Sequence, residues 1–348
     1  MPTDGSATRP RVVLLGLDGF PLRHLTPELT PAMWRIAAGV GDAPVFAAGV
    51  VPATTYPAFA SLLTGAGPAD HGVWVTGERP DAPAWARVQR VRLPTLLHAA
   101  QARGHRAAAV LGDHLLGGVL GLNGDLLRWP PGGSPPEGTP LDAHGYAVNR
   151  AVVPHLLDAF ADPSLDLIFG HLNETDTIGH DHGPEAPETE AAVRDTDALL
   201  GELIATLDHG WERTLVIITS DHDMEPIAAL PLVDAPSGGV ADGGAFVVRP
   251  EPGRARAVAS ALAETPGVIG VRSIGEWLIA GAEPGRVFAG SPLRPYRGIH
   301  GGPGTARTLA LVTGGHPAAA ELASRARGGM HQTEWAGAIL AALPPTGG

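Results

Sequence analysis

The chain contains no cysteine and no lysine. Without cysteine, disulfide bonds, iron–sulfur clusters and thiolate zinc sites are excluded, so any metal must be held by histidine and carboxylate side chains. Without lysine, every basic side chain is arginine or histidine. Because glycine (47 residues) and proline (34 residues) are abundant, we attribute this bias to a GC-rich coding sequence and not to function.

Long hydrophobic runs are also missing. No stretch of about 18 apolar residues occurs, which predicts that the chain has no membrane span. The first residues lack the apolar segment of a signal peptide, so we expect a cytoplasmic location. The net charge of −12 disfavours binding to a nucleic-acid polymer. These absences leave a small molecule as the expected partner and a monomer or homodimer as the expected assembly.

The apolar sequence that is present is enough for a full core. The chain has 348 residues, of which 44% are hydrophobic, and this suits one large α/β domain. We predict a flexible tail at 1–10 and a single domain at 11–348, with a small inserted α+β lobe at about 225–295. The expected fold is a mostly parallel central sheet flanked by helices on both faces.

Three apolar runs end at residue types that bind metals. Runs without alternation are typical of strands buried on both faces of a parallel sheet. Because ligands bind outside the carboxyl ends of such strands, we expect the side chains that follow these runs to meet at one edge of the sheet as a metal site. The runs and the residues that follow them are Arg11–Leu17 with Asp18, Leu165–Leu172 with Asp176 and His180, and Thr214–Ser220 with Asp221 and His222.

Periodicity and capping residues predict the other elements. Helices are expected at 30–38, 55–63, 94–104, 146–161, 188–207 and 332–343, and strands at 44–51, 106–111 and 309–313. The segment 117–139 is rich in glycine and proline and is expected to be a surface loop. Within the inserted lobe, the expected order is a strand at 245–249, a helix at 254–264, a strand at 268–271 and a helix at 274–281.

Thr55 stands at the start of the predicted helix 55–63. Free N–H groups and the helix dipole favour an anion at such a helix N-terminus, so the Thr55 hydroxyl is placed to act as a nucleophile. An isolated threonine at this position is more often only an N-cap, and a capping role for Thr54 or Thr55 is the alternative interpretation. The metal-type ligands elsewhere in the chain favour the nucleophile.

Six residues form the predicted ligand set: Asp18, Asp176, His180, Asp221, His222 and His300. Carboxylates and imidazoles without thiolates suit Zn²⁺, Mn²⁺ or Fe. Six such ligands make two sites of three ligands each. Two metal ions about 3.5–4 Å apart can stabilise both the attacking and the leaving oxygen of a displacement at phosphorus.

With these residues, the chain resembles the alkaline phosphatase superfamily, and within it the nucleotide pyrophosphatase/phosphodiesterase branch and its phosphonoacetate hydrolase relatives. The matching segments occur in the family's order over nearly the whole chain, and this ordered set is much more specific than any one segment. They are Leu17-Asp18-Gly19, Pro52-Ala53-Thr54-Thr55-Tyr56-Pro57, Thr64-Gly65, His71-Gly72, Asp176-Thr177-Ile178-Gly179-His180, Ser220-Asp221-His222 and His300-Gly301.

The resemblance implies two metal ions, usually zinc, each held by its own set of ligands. One ion would be held by Asp176, His180 and His300, and the other by Asp18, Asp221, His222 and the Thr55 hydroxyl. Thr55 would form a covalent phospho-enzyme that water then hydrolyses. Two positions implied to bind substrate depart from the family pattern: Tyr56 replaces a phenylalanine that stacks on the base, and Thr76 replaces an asparagine that donates to a phosphate oxygen.

The leading hypothesis is therefore a metal-dependent hydrolase that cleaves phosphodiester or pyrophosphate bonds of nucleotide-type molecules. The alternatives are a phosphomonoesterase or phosphonate hydrolase with the same site and, more distantly, a non-catalytic metal-binding relative. No arginine is evident beside Thr55 in the sequence, which weakly favours diesters over the more highly charged monoesters, and an arginine distant in the sequence that folds into the site is the alternative. A sulfatase is excluded because threonine cannot become formylglycine, and the serine-dependent phosphoglycerate mutases fit less well.

Overall fold

The computed structural model describes residues 9–38, 46–77, 79–208, 210–228, 232–291 and 295–345. Its strands are β1 (Arg11–Leu17), β2 (Phe46–Ala48), β3 (Ala107–Leu111), β4 (Leu127–Trp129), β5 (Leu167–Leu172), β6 (Thr214–Ser220), β7 (Glu225–Pro226), β8 (Leu232–Val233), β9 (Gly239–Asp242), β10 (Ala245–Val248), β11 (Val268–Ile274), β12 (Trp277–Ala282), β13 (Val287–Phe288), β14 (Gly298–Ile299) and β15 (Arg307–Thr313).

The α-helices lie between these strands and at the end of the described chain. They are α1 (Pro31–Ala38), α2 (Thr55–Thr64), α3 (Pro68–His71), α4 (Ala84–Arg87), α5 (Leu96–Ala102), α6 (Leu115–Val119), α7 (Asn149–Ala161), α8 (Glu174–His182), α9 (Pro187–Ala205), α10 (Ala255–Glu264), α11 (Ala319–Arg327) and α12 (Trp335–Ala342). No helix of the described residues is both long enough and apolar enough to cross a bilayer.

A seven-stranded sheet organises the chain, with the strand order β2-β15-β6-β1-β5-β3-β4. Strand β1 pairs in parallel with β5 on one side and β6 on the other, and β3 continues the parallel arrangement. Strand β15 runs antiparallel to both of its neighbours. Every residue of β1, β5 and β6 is buried, which explains why the sequences of these strands are largely unbroken apolar runs. The predicted mostly parallel sheet is thus confirmed.

Helices cover both faces of this sheet, as predicted. A Cβ built on Gly16 of β1 would lie 2.6 Å from Phe59 of α2, whereas one built on Gly170 of β5 would lie 2.7 Å from Leu156 of α7. Because Gly170 pairs with Leu15 and not with Gly16, the two glycines face opposite sides of the sheet. Helices α2 and α7 therefore pack on opposite faces, and each comes close to the backbone at a glycine.

A second sheet, four strands in the order β11-β12-β10-β9, lies within the predicted lobe, with α10 between β10 and β11. The predicted helix at 274–281 is wrong, because the residues from Trp277 onward form the buried strand β12. Short apolar runs do not distinguish a helix from a strand by period. The available signal was Gly275, which has a φ of 59° in a two-residue hairpin closed by the pair Ile274 and Trp277.

Three other elements differ from the predictions. The segment 117–139 is not loop throughout, since it contains the edge strand β4, and helix α11 was not predicted at all. The strand expected at 44–51 is limited to β2 among the described residues, with 44–45 outside them. These elements are short or lie at the edges, where packing on neighbours decides the structure more than the local sequence does.

We expect Gly16→Ala to destabilise the fold. The new methyl group would overlap the buried ring of Phe59, which also packs on Phe169 at 5.9 Å between ring centroids. Overpacking of this kind costs about 1–3 kcal/mol of the free energy of unfolding, measurable by urea denaturation. Gly337→Ala is the matched control, because a Cβ there meets nothing within 4 Å and alanine should stabilise α12 by up to about 1 kcal/mol. Equal stability of the two variants would contradict this packing.

Candidate metal centre

The carboxyl ends of three adjacent strands bring the predicted ligands together. Asp18 follows β1, and Asp221 and His222 follow β6. Helix α8 begins shortly after β5 and carries Asp176 and His180 one turn apart, so both side chains point to the same side of the helix. His300 follows the two-residue strand β14 and arrives from outside the main sheet. All six side chains are buried.

Asp176, His180 and His300 form one group with metal-binding geometry. Oδ1 of Asp176 lies 3.5 Å from Nε2 of His180 and 3.6 Å from Nε2 of His300. The two Nε2 atoms are 3.0 Å apart. This Oδ1 atom is buried and has no hydrogen-bond partner among the described residues.

The backbone sets the orientation of both rings in this group. Nδ1 of His180 lies 2.9 Å from the carbonyl of Gly298, and Nδ1 of His300 lies 3.1 Å from the carbonyl of Ala53. A carbonyl only accepts hydrogen bonds, so each ring carries its proton on Nδ1 and presents the Nε2 lone pair to the centre. Two facing lone pairs repel each other, and a shared cation removes this repulsion. The donors therefore fit a divalent metal ion.

The other predicted ligands, Asp18, Asp221 and His222, lie next to the first group, and Asp18 and His222 also form a second group with metal-binding geometry together with Asp176. Nε2 of His222 lies 3.7 Å from Oδ1 of Asp18 and 3.1 Å from Oδ2 of Asp221. Nδ1 of His222 lies 3.1 Å from the carbonyl of Asp223, so Nε2 again presents a lone pair. Within the described chain, neither this nitrogen nor Oδ2 of Asp221 has a hydrogen-bond partner. The chemistry of these donors also fits a metal ion.

Burial and mutual repulsion shift the acid–base equilibria of both groups. Burial raises the pKa of Asp18 and the pKa of Asp176, each to about 7. Burial, followed by the nearby charge of Asp18, raises the pKa of Asp221 well above its ordinary value. Burial lowers the pKa of His222 to about 3 and that of His300 well below its usual range. Neutral imidazoles are the protonation state that metal ligation requires, and a bound cation would favour the ionised form of the crowded carboxylates.

Thr55 is the first residue of α2 and lies beside the second group. Its Oγ1 donates a hydrogen bond of 3.3 Å to Oδ1 of Asp18. The N-cap position belongs to Thr54, whose side chain makes no capping hydrogen bond. Thr55 is therefore not a simple cap, and its hydroxyl faces a carboxylate of the candidate metal centre.

A cavity of about 130 Å³ opens above these residues and is lined by Asp18, Thr55, Thr76, Arg79, Asp113, His144, Tyr146, Asn173, Asp176, His180, Asp242, Gly243, Tyr296, Ile299 and His300. Thr76 lines it, and Oγ1 of Thr76 accepts a 3.4 Å hydrogen bond from the backbone N–H of Tyr56. Arg79, which is distant from Thr55 in the sequence, lines the same cavity, so the alternative that an arginine from elsewhere in the chain folds in is the one that the structure supports.

Sequence reasoning missed several of these lining residues. Asp113 follows β3 at the same edge of the sheet as Asp18 and Asp221, so the strand-end rule could have found it. Asp242 ends β9 of the second sheet, and His144 lies in a loop, and neither position has a local signal in the sequence. His171 contacts the centre, because its Nε2 lies 3.1 Å from Oδ2 of Asp18.

A larger pocket of about 990 Å³ lies next to this cavity and is lined in part by Tyr56 of α2. Its walls include the apolar side chains of Leu115, Val119 and Leu122. Tyr56 itself is buried, and burial followed by the charge of Asp113 raises its pKa. The site thus has a polar centre of metal-type ligands beside a larger and partly apolar pocket. This arrangement is common for pockets that hold organic ligands.

Comparison with known proteins agrees with this geometry. The family described as Type I phosphodiesterase / nucleotide pyrophosphatase matches residues 12–235, more than half of the chain, and the chain belongs to this family. Human ectonucleotide pyrophosphatase/phosphodiesterase family member 7 is 36% identical over 90 residues, which are 24% of this chain and 20% of that protein. An uncharacterised pyrophosphatase/phosphodiesterase of Schizosaccharomyces pombe is 23% identical over 62% of this chain and 45% of its own length. The chain therefore spans less than half of either relative.

Solved structures share the fold. Murine ectonucleotide pyrophosphatase/phosphodiesterase 5, as an inactive variant in complex with AMP, superposes with a TM-score of 0.71 at 19% identity over 97% of this chain and 96% of that chain. Phosphonoacetate hydrolase from Sinorhizobium meliloti, in complex with phosphonoacetate, superposes with a TM-score of 0.65 at 18% identity over 96% of both chains. At these identities the likeness establishes the fold, and the site must be argued from this chain's own residues.

We expect the protein to bind two zinc ions, one for each ligand group. Asp176→Ala and Asp221→Ala should each reduce the bound zinc from about two ions to about one per chain, because each removes a carboxylate from one group. Zinc content after equilibrium dialysis, measured by mass spectrometry, tests this. Asp181→Ala is the control on the same helix as Asp176, since Asp181 pairs with His144 at 3.0 Å. Unchanged zinc content in both ligand variants would contradict the assignment.

His71 gives the fold a dependence on pH that is separate from the metal ligands. Its Nδ1 accepts a hydrogen bond of 3.1 Å from Val73 N, its Nε2 lies 2.9 Å from Oγ of Ser61, and burial lowers its pKa to about 3. Below the pKa of about 6.5 for unfolded histidine, the unfolded chain binds a proton that folded His71 does not. The free energy of unfolding should therefore fall as pH drops from about 6.5 towards about 3, by up to about 1.4 kcal/mol per pH unit.

Urea denaturation between about pH 4.5 and 7 measures this effect. His71→Gln keeps a donor for Ser61 and should flatten the pH dependence relative to the wild type. His182→Gln, at an imidazole whose side chain is 43% exposed, should leave the slope unchanged. An equally steep slope in His71→Gln would show that His71 is not the group responsible.

Proposed function

We propose that this chain is a two-metal phosphoester hydrolase that cleaves phosphodiester or pyrophosphate bonds of nucleotide-type small molecules through a phospho-threonine at Thr55. One observation carries the proposal. Two groups of carboxylate oxygens and imidazole lone pairs with metal-binding geometry, which share Asp176, converge beside the Thr55 hydroxyl, which lies 3.3 Å from Oδ1 of Asp18. This combination of a hydroxyl nucleophile and two metal-type ligand groups suits in-line displacement at phosphorus.

Asp176, His180 and His300 would hold one metal ion, and Asp18, Asp221 and His222 the other, with the Thr55 oxygen as a further ligand. Bound metals supply Lewis-acid stabilisation of phosphoryl oxygens and lower the pKa of coordinated hydroxyl groups. The hydrogen bond to Asp18 fixes the Thr55 rotamer, so the oxygen faces the cavity. His171 in turn fixes Asp18 through Oδ2, and burial of these groups limits the competing access of water.

The reaction then proceeds in two displacements. The Thr55 hydroxyl gives its proton to Asp18, which accepts its hydrogen bond, and Oγ1 forms a bond to phosphorus while the bond to the leaving-group oxygen breaks. That oxygen departs with the bonding electron pair. Water next attacks phosphorus, the bond between phosphorus and Thr55 Oγ1 breaks, and Oγ1 takes up the proton that the water loses, so the Thr55 hydroxyl is regenerated as the phosphate or phosphate monoester leaves. The position of Thr55 at the N-terminus of α2 favours the anionic phosphoryl group throughout.

The pocket of about 990 Å³ favours a substrate with a large organic group. Tyr56 lies between this pocket and the nucleophile, so a ring bound there can pack on the tyrosine ring while the phosphorus faces Thr55. A metal site in a small cavity suffices for inorganic or very small phosphoesters and does not need such a neighbour. This is the reason to prefer nucleotide-type substrates.

A phosphomonoesterase or phosphonate hydrolase is the second candidate. The observation that favours it is Arg79, which lines the reaction cavity and whose guanidinium can match the additional negative charge of a monoester or phosphonate. Both candidates use the same metal ligands and the same nucleophile, so the choice between them concerns the substrate and not the mechanism.

We expect the zinc-loaded protein to hydrolyse bis(4-nitrophenyl) phosphate, and we expect Thr55→Ala to lose about a thousandfold or more of kcat because the covalent route is removed. Release of 4-nitrophenol measures the rate, with 4-nitrophenyl phosphate as the monoester for comparison. Thr64→Ala is the matched control at the other end of α2, where the hydroxyl bonds only to the backbone of its own helix and the next turn.

Mass spectrometry of acid-quenched protein provides a second measurement. The wild type should carry a 4-nitrophenyl phosphoryl group on the peptide that contains Thr55 when quenched during turnover of the diester, or a phosphoryl group with the monoester, and Thr55→Ala should carry neither. Full activity in Thr55→Ala would overturn the phospho-threonine route in favour of direct attack by water. Absence of zinc-dependent turnover with both substrates would overturn the proposed esterase activity itself.

A further inference from the structure

Arg79 occupies a special position in the reaction cavity. It follows the short helix α3 and lies in a loop, yet its side chain is only 18% exposed. It lines the same cavity as Thr55, Thr76 and His300. The chain has no lysine, and Arg79 is the one arginine among the residues that line this cavity in the described chain. It is therefore the cavity's permanent positive charge.

A network of hydrogen bonds fixes this guanidinium relative to the nucleophile. Nη2 of Arg79 donates to Oδ1 of Asp242 at 2.9 Å, and Oδ2 of Asp242 accepts from the backbone N–H of Thr76 at 2.7 Å. Oγ1 of Thr76 in turn accepts from the backbone N–H of Tyr56, the residue after Thr55. The arginine is thus joined through Asp242 and Thr76 to the N-terminus of α2.

The guanidinium keeps donors that Asp242 does not use. Arginine has five N–H donors, and Nε of Arg79 is buried without a hydrogen-bond partner among the described residues. A buried donor left unpaired carries a desolvation cost. An anionic oxygen of a bound substrate would remove this cost and form a charge-assisted hydrogen bond, for which a guanidinium is well suited.

We propose that Arg79 is a specificity-determining residue that selects substrates carrying a second negative charge at or next to the reacting phosphorus. The second negative charge can come from either of two sources. It is the additional charge of a phosphomonoester dianion, or the charge of the neighbouring phosphate in a diphosphate diester. A simple diester has a single negative charge and does not need Arg79. The inference rests on the proposed function, because it assigns the substrate class of the same site.

The test compares three substrates in wild type and Arg79→Gln, all with zinc: 4-nitrophenyl phosphate, a dinucleoside 5′,5′-diphosphate and bis(4-nitrophenyl) phosphate. For at least one of the first two, kcat/KM should fall by about tenfold to a hundredfold, the effect of losing a hydrogen bond to a charged group. For the simple diester it should fall by less than about threefold. The substrate with the larger loss of kcat/KM shows whether Arg79 recognises the second charge of a monoester or the neighbouring phosphate of a diphosphate. A similar loss for all three substrates would overturn the proposal.

Two further variants separate binding of charge from damage to the fold. Arg79→Gln leaves Asp242 buried without its cation, so the double variant Arg79→Gln/Asp242→Asn removes both charges and should show the same loss of selectivity. Recovery of wild-type selectivity in the double variant would show that the unpaired carboxylate caused the effect. Arg87→Gln is the matched control in the same segment, because Arg87 bonds the carbonyl of Ala82 and is absent from the cavity lining.

A binding measurement makes the test independent of turnover. Isothermal titration of the zinc-loaded protein with inorganic phosphate should give a Kd about tenfold or more weaker in Arg79→Gln than in wild type, whereas dimethyl phosphate should bind both with similar affinity. Equal weakening for both ligands, or for neither, would overturn the role of Arg79. If the wild type turns over none of the substrates, the proposed function fails, and the phosphate titration still decides this inference.

Discussion

The crowding of three buried carboxylates is the constraint on which the rest of this structure depends. Asp18, Asp176 and Asp221 belong to segments that follow three adjacent strands, and β1 pairs with β5 and β6 residue for residue. This register leaves the three side chains no way to separate. Burial raises the pKa of each one, and the fold compensates by directing imidazole lone pairs to the same place. A cation bound at this edge of the sheet would offset the negative charge of the three carboxylates.

The orientation of the imidazoles depends on backbone carbonyls from distant parts of the chain. Gly298 orients His180, and Ala53, which precedes α2, orients His300. The segment that contains His300 packs against the second sheet, since Gly244 N donates to the carbonyl of His300. The geometry of the candidate ligands therefore depends on the second sheet as well as on the main sheet, although none of the six candidates lies in the second sheet. Outer contacts of this kind set the tautomer and the direction of a ligand.

The second sheet also contributes Asp242, at the end of β9, to the lining of the cavity. This residue joins Arg79 and Thr76, which come from a loop far away in sequence, and so adds polar groups that the metal ligands alone do not provide. In the proposed function, the metal centre would determine which bond is attacked, whereas the surrounding loops and the pocket beside Tyr56 would determine which molecules fit.

The sequence by itself determined the central strands, the fold class and the list of candidate ligands. This was possible because strands buried on both faces leave unbroken apolar runs, and the residues after them stand where parallel sheets bind ligands. Only the tertiary structure decided that β12 is a strand, that His171 supports Asp18, and that Arg79 enters the cavity. These features arise from contacts between segments far apart in the chain, such as Arg79 with Asp242, and no local period or spacing encodes such contacts. The candidate ligands could therefore be predicted along the chain, while the charge that faces the substrate became visible only in three dimensions.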